Sequence, residues 1–214
     1  LFMSDNGGNA EAGPEGRTVG DPSDGRSDWF CGMSWAYVQN TPYRFFKHYN
    51  HEGGIATPLI AHWPRGISAR NELRTQPAHL VDILATCVEV AGADYPKTIR
   101  NSAVPPMEGK SLVGAFANRP IEREALYWEH EGNAAVRAGD LKLVRNGRNG
   151  AWELYDLSND RSELHDLAAG RAVDVARLSA LWEAWAHRTH VLPAPGPGQP
   201  GQKQGGANRR AGGK

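Results

Sequence analysis

The sequence predicts an α/β protein whose last third is a small antiparallel β-sheet covered by one helix. Three observations predict it. Apolar residues recur at helical spacing through HLVDILATCVEVAG. Four short alternating runs then follow one another, separated by Gly, Asp and Asn, and a second helical stripe closes the patterned part of the chain. With 214 residues, 40% hydrophobic and 22% charged, the chain has material for one core or a domain and a half. Lys and Arg number 24 and so do Asp and Glu, which implies no basic face for nucleic acid or membrane and points to a small molecule as partner. No apolar run approaches the roughly 18 residues of a membrane span.

Leu1, Phe2 and Met3 form a short apolar run that breaks at Ser4-Asp5-Asn6-Gly7-Gly8, as a buried strand does on entering a loop. A strand at the extreme terminus, starting on Leu, is expected to belong to a longer polypeptide. From Gly7 to Asn40 the sequence lacks either apolar period and reads as a long loop. PLIAHWP is a short strand confined by Pro58 and Pro64. In the first helix Leu80, Ile83, Leu84, Cys87, Val88 and Ala91 form the expected core face, and Gly92 the stop. ALYWEHE, AAVRAG, LKLVR and WELYDL are the strands, with GD and NGRNG as hairpin signals. Val175, Leu178, Leu181, Trp182 and Trp185 mark the helix face that covers them. Eleven of the last 22 residues are Gly or Pro, so a disordered end is expected there. The expected divisions are 1–120, 121–192 and 193–214.

Two clusters carry chemistry. Asp5 and Asn6 offer a carboxylate and an amide carbonyl after a strand end, where ligands gather in open α/β sheets. Oxygen donors of this kind suit Ca²⁺ or Mg²⁺ rather than zinc, although Asp-Asn-Gly is equally an ordinary turn. In the second cluster Lys47, His48, His51 and Glu52 lie within six positions and end on Gly53-Gly54, a pair that lets backbone approach closely. Lys47 there can hold an anion as a point charge or be part of a solvated face. His51 and His62 read as hydrogen-bonded structural residues. Cys31 and Cys87 match no metal spacing and no disulfide framework.

Together the clusters resemble the C-terminal half of type I sulfatases, members of the alkaline-phosphatase-like superfamily. FMSDNGG, then NTPYRFFKHYNHEGGIATPLIAHWP, HLVDILATCVEVAG, MEGKSL and KLVRNGRNGAWELYDLSNDRSELHDLA follow in the family's order, and the second segment is most like bacterial arylsulfatases. The resemblance implies that residues 1–120 are the C-terminal part of an α/β sandwich catalytic domain and 121–192 a small sheet and helix subdomain. It implies Asp5 and Asn6 as Ca²⁺ ligands, with Mg²⁺ the second choice, and Lys47, five residues before Glu52-Gly53-Gly54, as the contact to sulfate oxygens. The substrate implied is a small-molecule or carbohydrate sulfate ester, and the compartment periplasmic or secreted. The family's nucleophile is a formylglycine made within Cys/Ser-x-Pro-x-Arg, and neither Cys31 nor Cys87 lies in such a sequence. The resemblance therefore places the nucleophile and the remaining metal ligands in an upstream segment and leaves this chain alone expected to be inactive. A phosphodiesterase or phosphonate hydrolase of the same superfamily is the nearest alternative. A non-catalytic carbohydrate-binding or packing module, using Trp128, Trp152, Trp182 and Trp185, is the other.

Overall fold

The computed structural model describes residues 1–193 except 12, 22 and 27. The end expected to be disordered, 193–214, lies outside the described residues apart from Pro193. The front of the chain runs through β1 (Phe2–Met3), a hairpin of β2 (Arg17–Val19) and β3 (Asp28–Phe30), α1 (Met33–Asn40), the single turn α2 (Glu52–Ile55) and β4 (Leu59–Ile60). β1 pairs antiparallel with β4, Phe2 opposite Ile60 and Met3 opposite Leu59, so the terminal strand finds its partner in PLIAHWP.

The span 7–40, expected to be loop throughout, contains the β2–β3 ladder and α1. α1 escaped the sequence because its buried residues are only Ala36 and Asn40, four apart, while Trp35, Tyr37 and Val38 are exposed. A buried face of one methyl and one amide leaves no apolar stripe to read.

α3 (Asp82–Ala91) forms where expected and stops at Gly92, whose φ of 58° is the left-handed conformation that ends helices. Its orientation corrects the expectation. Asp82, Ala85 and Thr86 are buried, whereas Leu80, Leu84 and Cys87 are exposed. The cause is the hydrogen bonding of Asp82 and Thr86. The Asp82 carboxylate accepts from the backbone N–H groups of His79 and Lys110, both at 2.8 Å, and pairs with Arg123 at 2.8 Å. Thr86 Oγ1 accepts from the Leu112 N–H at 2.9 Å. These hydrogen bonds hold the Asp82 and Thr86 face against the rest of the described residues. The hairpin of β5 (Thr98–Ile99) and β6 (Ser102–Ala103) and the short α4 (Val113–Phe116) complete this part.

β7 (Leu126–His130), β8 (Asn133–Ala138), β9 (Leu141–Arg145) and β10 (Glu153–Asp156) form an antiparallel meander in the order β10-β9-β8-β7, matching the four alternating runs. α5 (Ala172–Arg188) covers one face, where Ala134, Val136, Leu143 and Leu154 meet Leu178, Trp182 and Ala186. Trp182 donates its indole N–H to the Trp128 carbonyl at 3.0 Å, and Trp185 stacks on Tyr127. None of the four tryptophans of this region is exposed. The other face carries Ala135, Val144, Tyr155 and Leu157, and beside them Lys142, which is 0% exposed. That face is covered by the front of the chain.

Candidate active site

The two chemical clusters, some 40 residues apart in sequence, are joined backbone to backbone. Gly7 donates its N–H to the Gly54 carbonyl at 2.9 Å, and Lys47 donates its N–H to the Gly8 carbonyl at 2.9 Å. Asn40, at the end of α1, locks this clasp: its Oδ1 accepts from the Gly8 N–H at 2.8 Å and its Nδ2 donates to the Phe45 carbonyl at 2.9 Å. Contact this close requires glycine. A Cβ on Gly7 would lie 1.8 Å from the Gly53 oxygen, and one on Gly53 would lie 2.2 Å from the carbonyls of Arg44 and Phe45.

The compact Lys47–Glu52 segment divides its side chains between two environments. His51 and Glu52 turn inward onto the covered face of the four-stranded sheet. Lys142 Nζ sits 2.9 Å from Glu52 Oε1 and 2.8 Å from Glu163 Oε1, and Glu163 Oε2 accepts the Glu52 N–H at 2.7 Å. Burial by itself raises the Glu52 pKa; the Lys142 ammonium, joined by Arg137 and Arg161, outweighs it and leaves the carboxyl below its ordinary value. His51 is buried with Nε2 3.2 Å from Glu153 Oε2, and the Tyr155 hydroxyl also donates to that carboxylate. The hydrogen bond from His51, opposed by burial and joined by Tyr155 and Arg44, holds Glu153 at about 2. Arg44 reaches the same place, donating to the Tyr155 hydroxyl at 2.8 Å and to the Glu163 carbonyl.

Lys47 and His48 turn the other way. Lys47 Nζ pairs with Glu11 Oε1 at 2.6 Å, and this bond lowers the Glu11 pKa. His48 adopts a φ of 83°, with its carbonyl held by Asn133 Nδ2 at 2.7 Å. Asp5 is exposed, and its carboxylate has no hydrogen bond or ion pair among the described residues. Asn6 uses its Nδ2 on the Gly7 carbonyl at 2.8 Å, which leaves Oδ1 as the free end of the amide. A free carboxylate and a free amide oxygen on consecutive residues are hard donors of the kind Ca²⁺ takes, and would be two of the six to eight such an ion needs.

Of the residues singled out in the sequence, Asp5, Asn6 and Lys47 thus belong to one clasp, while His51 and Glu52 anchor it from beneath. Asn40, Glu11, Lys142 and Glu163 escaped the sequence reading. Asn40 opens the NTPYRFFKH segment but has no chemical partner nearby in sequence. Glu11 lies in a stretch without periodicity. Lys142 sits within LKLVR, where no neighbour in sequence marks its partners.

The fold of the chain, with its antiparallel meander under a single helix, is shared with solved structures. The chain superposes on Ps i-CgsB with a TM-score of 0.64 at 23% identity, covering 86% of this chain and 35% of that one. It also superposes on BT4656, solved with its substrate D-glucosamine-2-N,6-O-disulfate, with a TM-score of 0.52 at 23% identity, covering 70% of this chain and 32% of that one. In sequence it is 31% identical over 175 residues to an uncharacterized sulfatase of Schizosaccharomyces pombe, covering 78% of this chain. The chain belongs to the sulfatases, in the family described as N-sulphoglucosamine sulphohydrolase, C-terminal, whose model matches residues 42–181. It spans about a third of the length of these relatives, 31% in the yeast case.

Proposed function

We propose that the chain is the C-terminal portion of a calcium-dependent sulfatase that hydrolyses aryl or carbohydrate sulfate esters. The observation that carries this reading is the clasp, which sets two oxygen donors, Asp5 and Asn6, and one cation, Lys47, on adjoining backbone. Sulfuryl transfer spreads negative charge over peripheral oxygens, and positive groups fixed beforehand around those oxygens lower the barrier. Bound Ca²⁺ supplies such a charge as a Lewis acid. Asp5 and Asn6 hold it through hard oxygens. Lys47 presents its ammonium to the sulfate, and Glu11, its partner in this structure, keeps the side chain extended until the substrate anion takes Glu11's place. The formylglycine nucleophile and the remaining ligands are proposed on a segment outside these 214 residues, and the compartment as periplasmic or secreted.

The substrate complex of BT4656 is with a sulfated sugar, which supports a carbohydrate sulfate here. A stacking module built on exposed tryptophans has no support, since the four in question are covered. The test is to assay the full-length enzyme, with calcium determined, on an aryl sulfate, sulfated saccharides, a phosphodiester and a phosphonate ester. Sulfate release in the first two and little turnover of the others is expected. Preferred turnover of the phosphodiester or phosphonate would replace the sulfatase reading by its superfamily alternative.

A further inference from the structure

His48, which the proposed sulfatase chemistry leaves unused, is the centre of a second constellation. Its Nδ1 lies 3.0 Å from His130 Nε2 and 3.2 Å from Glu131 Oε2, and the three donor atoms all fall within 4.8 Å of one another. Around a tetrahedral zinc with bonds of about 2.0–2.1 Å, donor atoms stand roughly 3.3–3.5 Å apart. The two distances from His48 Nδ1 are already close to that spacing.

The two segments that bring them together are tied at one residue. His130 ends β7 opposite Asn133, and Glu131 and Gly132, with φ of 53° and 92°, make the tight turn between β7 and β8. Asn133 Nδ2 donates to the His48 carbonyl at 2.7 Å, while Asn133 Oδ1 accepts the Gly147 N–H at 2.8 Å. The Asn133 side chain thereby fixes the backbone of His48 against the turn that carries the other two donors.

The other nitrogen of His48 supplies the independent observation. Nε2 stands 3.3 Å from Glu11 Oε1, so a proton on Nε2 is the one this carboxylate stabilises. A carboxylate on the far nitrogen is the arrangement that orients metal-binding histidines, because it sets the tautomer and leaves the near lone pair free. Here Nδ1 lies beside the Glu131 carboxylate and the His130 nitrogen. Two imidazole nitrogens and a carboxylate gathered within 4.8 Å of one another suit a cation between them.

We propose that His48, His130 and Glu131 form a binding site for a divalent transition metal, zinc in the first instance, with Glu11 as the group that orients His48. Two imidazoles and one carboxylate are a zinc-type donor set, unlike the all-oxygen set that Ca²⁺ or Mg²⁺ requires, and a fourth position is left for water. The site is separate from Asp5 and Asn6, and the inference does not rest on the sulfatase reading.

The test uses the untagged 214-residue chain in a Cys31→Ser, Cys87→Ser background, so that the two exposed thiols contribute nothing. Titration with Zn²⁺ against a chromophoric chelator should show one saturable site per chain that excess Ca²⁺ and Mg²⁺ do not displace. Co²⁺ in place of zinc should give the visible absorption of four-coordination. His130→Ala, at the exposed end of β7, should abolish the saturable site and the cobalt spectrum while leaving circular dichroism unchanged. Glu11→Gln should weaken zinc binding by roughly ten- to 100-fold. Unaltered zinc affinity in His130→Ala or Glu131→Gln would overturn the assignment, as would no saturable binding in the parent chain.

Discussion

Asp5 and Lys47 stand on the two sides of one clasp and are proposed to do different chemistry, so their removal should produce different defects. In the full-length enzyme Asp5→Ala deletes a hard anionic oxygen, and calcium content and turnover are expected to fall together. Lys47→Ala removes the charge proposed to contact the sulfate, and kcat should drop about 100-fold or more with bound calcium unchanged. Metal analysis of the two variants beside their turnover checks both statements; full calcium in a folded Asp5→Ala enzyme would make SDNGG a turn only. Glu153 carries a second prediction at this scale. Its pKa of about 2 lies below the ordinary 4.5, so the folded chain binds fewer protons than the unfolded chain between those values. Its contribution to stability is complete above about pH 4.5 and is lost as pH falls through about 2. The Tm should therefore fall across that window, and Glu153→Gln should show a shallower fall when the two are melted in parallel.

Two pieces of local structure hold the clasp, and each can be loosened separately. Gly53 lies against the carbonyls of Arg44 and Phe45, where a methyl group has no room. Gly53→Ala should raise the hydrogen-exchange rates of the Gly7 and Lys47 amides while those of the β8–β9 ladder stay protected. Lys142 on β9 is the other support, a buried ammonium between Glu52 and Glu163. Lys142→Met leaves two carboxylates facing each other without that cation and should cost about 3–5 kcal/mol in urea unfolding. Adding Glu163→Gln to it should recover part of the loss, because one of the stranded charges is then gone. No recovery in the double variant would mean that Lys142 acts through packing of its methylenes.

At the scale of the whole molecule, the four-stranded sheet is buried twice, once under α5 and once under the segment that carries the clasp. The second burial makes the C-terminal part a support for the proposed site, through Lys142, Glu163, Glu153, Tyr155 and Asn133. Support of this kind does not supply a nucleophile. None of the 214 residues lies in a Cys/Ser-x-Pro-x-Arg sequence, and the chain alone is expected to release no sulfate from an activated aryl sulfate in excess Ca²⁺. Sustained turnover that survives replacement of both cysteines would show that the reaction needs no upstream residue.

The meander, the α5 stripe, the α3 stop at Gly92 and the two motifs were legible in the sequence, because period, turn residues and motif spacing are local properties. Local patterns also show which residues of β9 alternate, but not what covers each face. LKLVR reads as a strand with nothing nearby to mark a partner for Lys142, and only the folding of the front segment onto that face makes the lysine a buried counter-ion. The same limit applies to α3, where apolar period named Leu80 and Leu84 and the hydrogen bonds of Asp82 to residues 28 and 41 positions away chose the opposite face. It applies to α1, whose buried pair is too small and too polar to leave a period. The sequence by itself determined the meander, α3 and α5, the family and the identity of the chemical groups. The tertiary structure alone decided which of those groups meet, because burial and hydrogen-bond satisfaction depend on partners that lie far away along the chain.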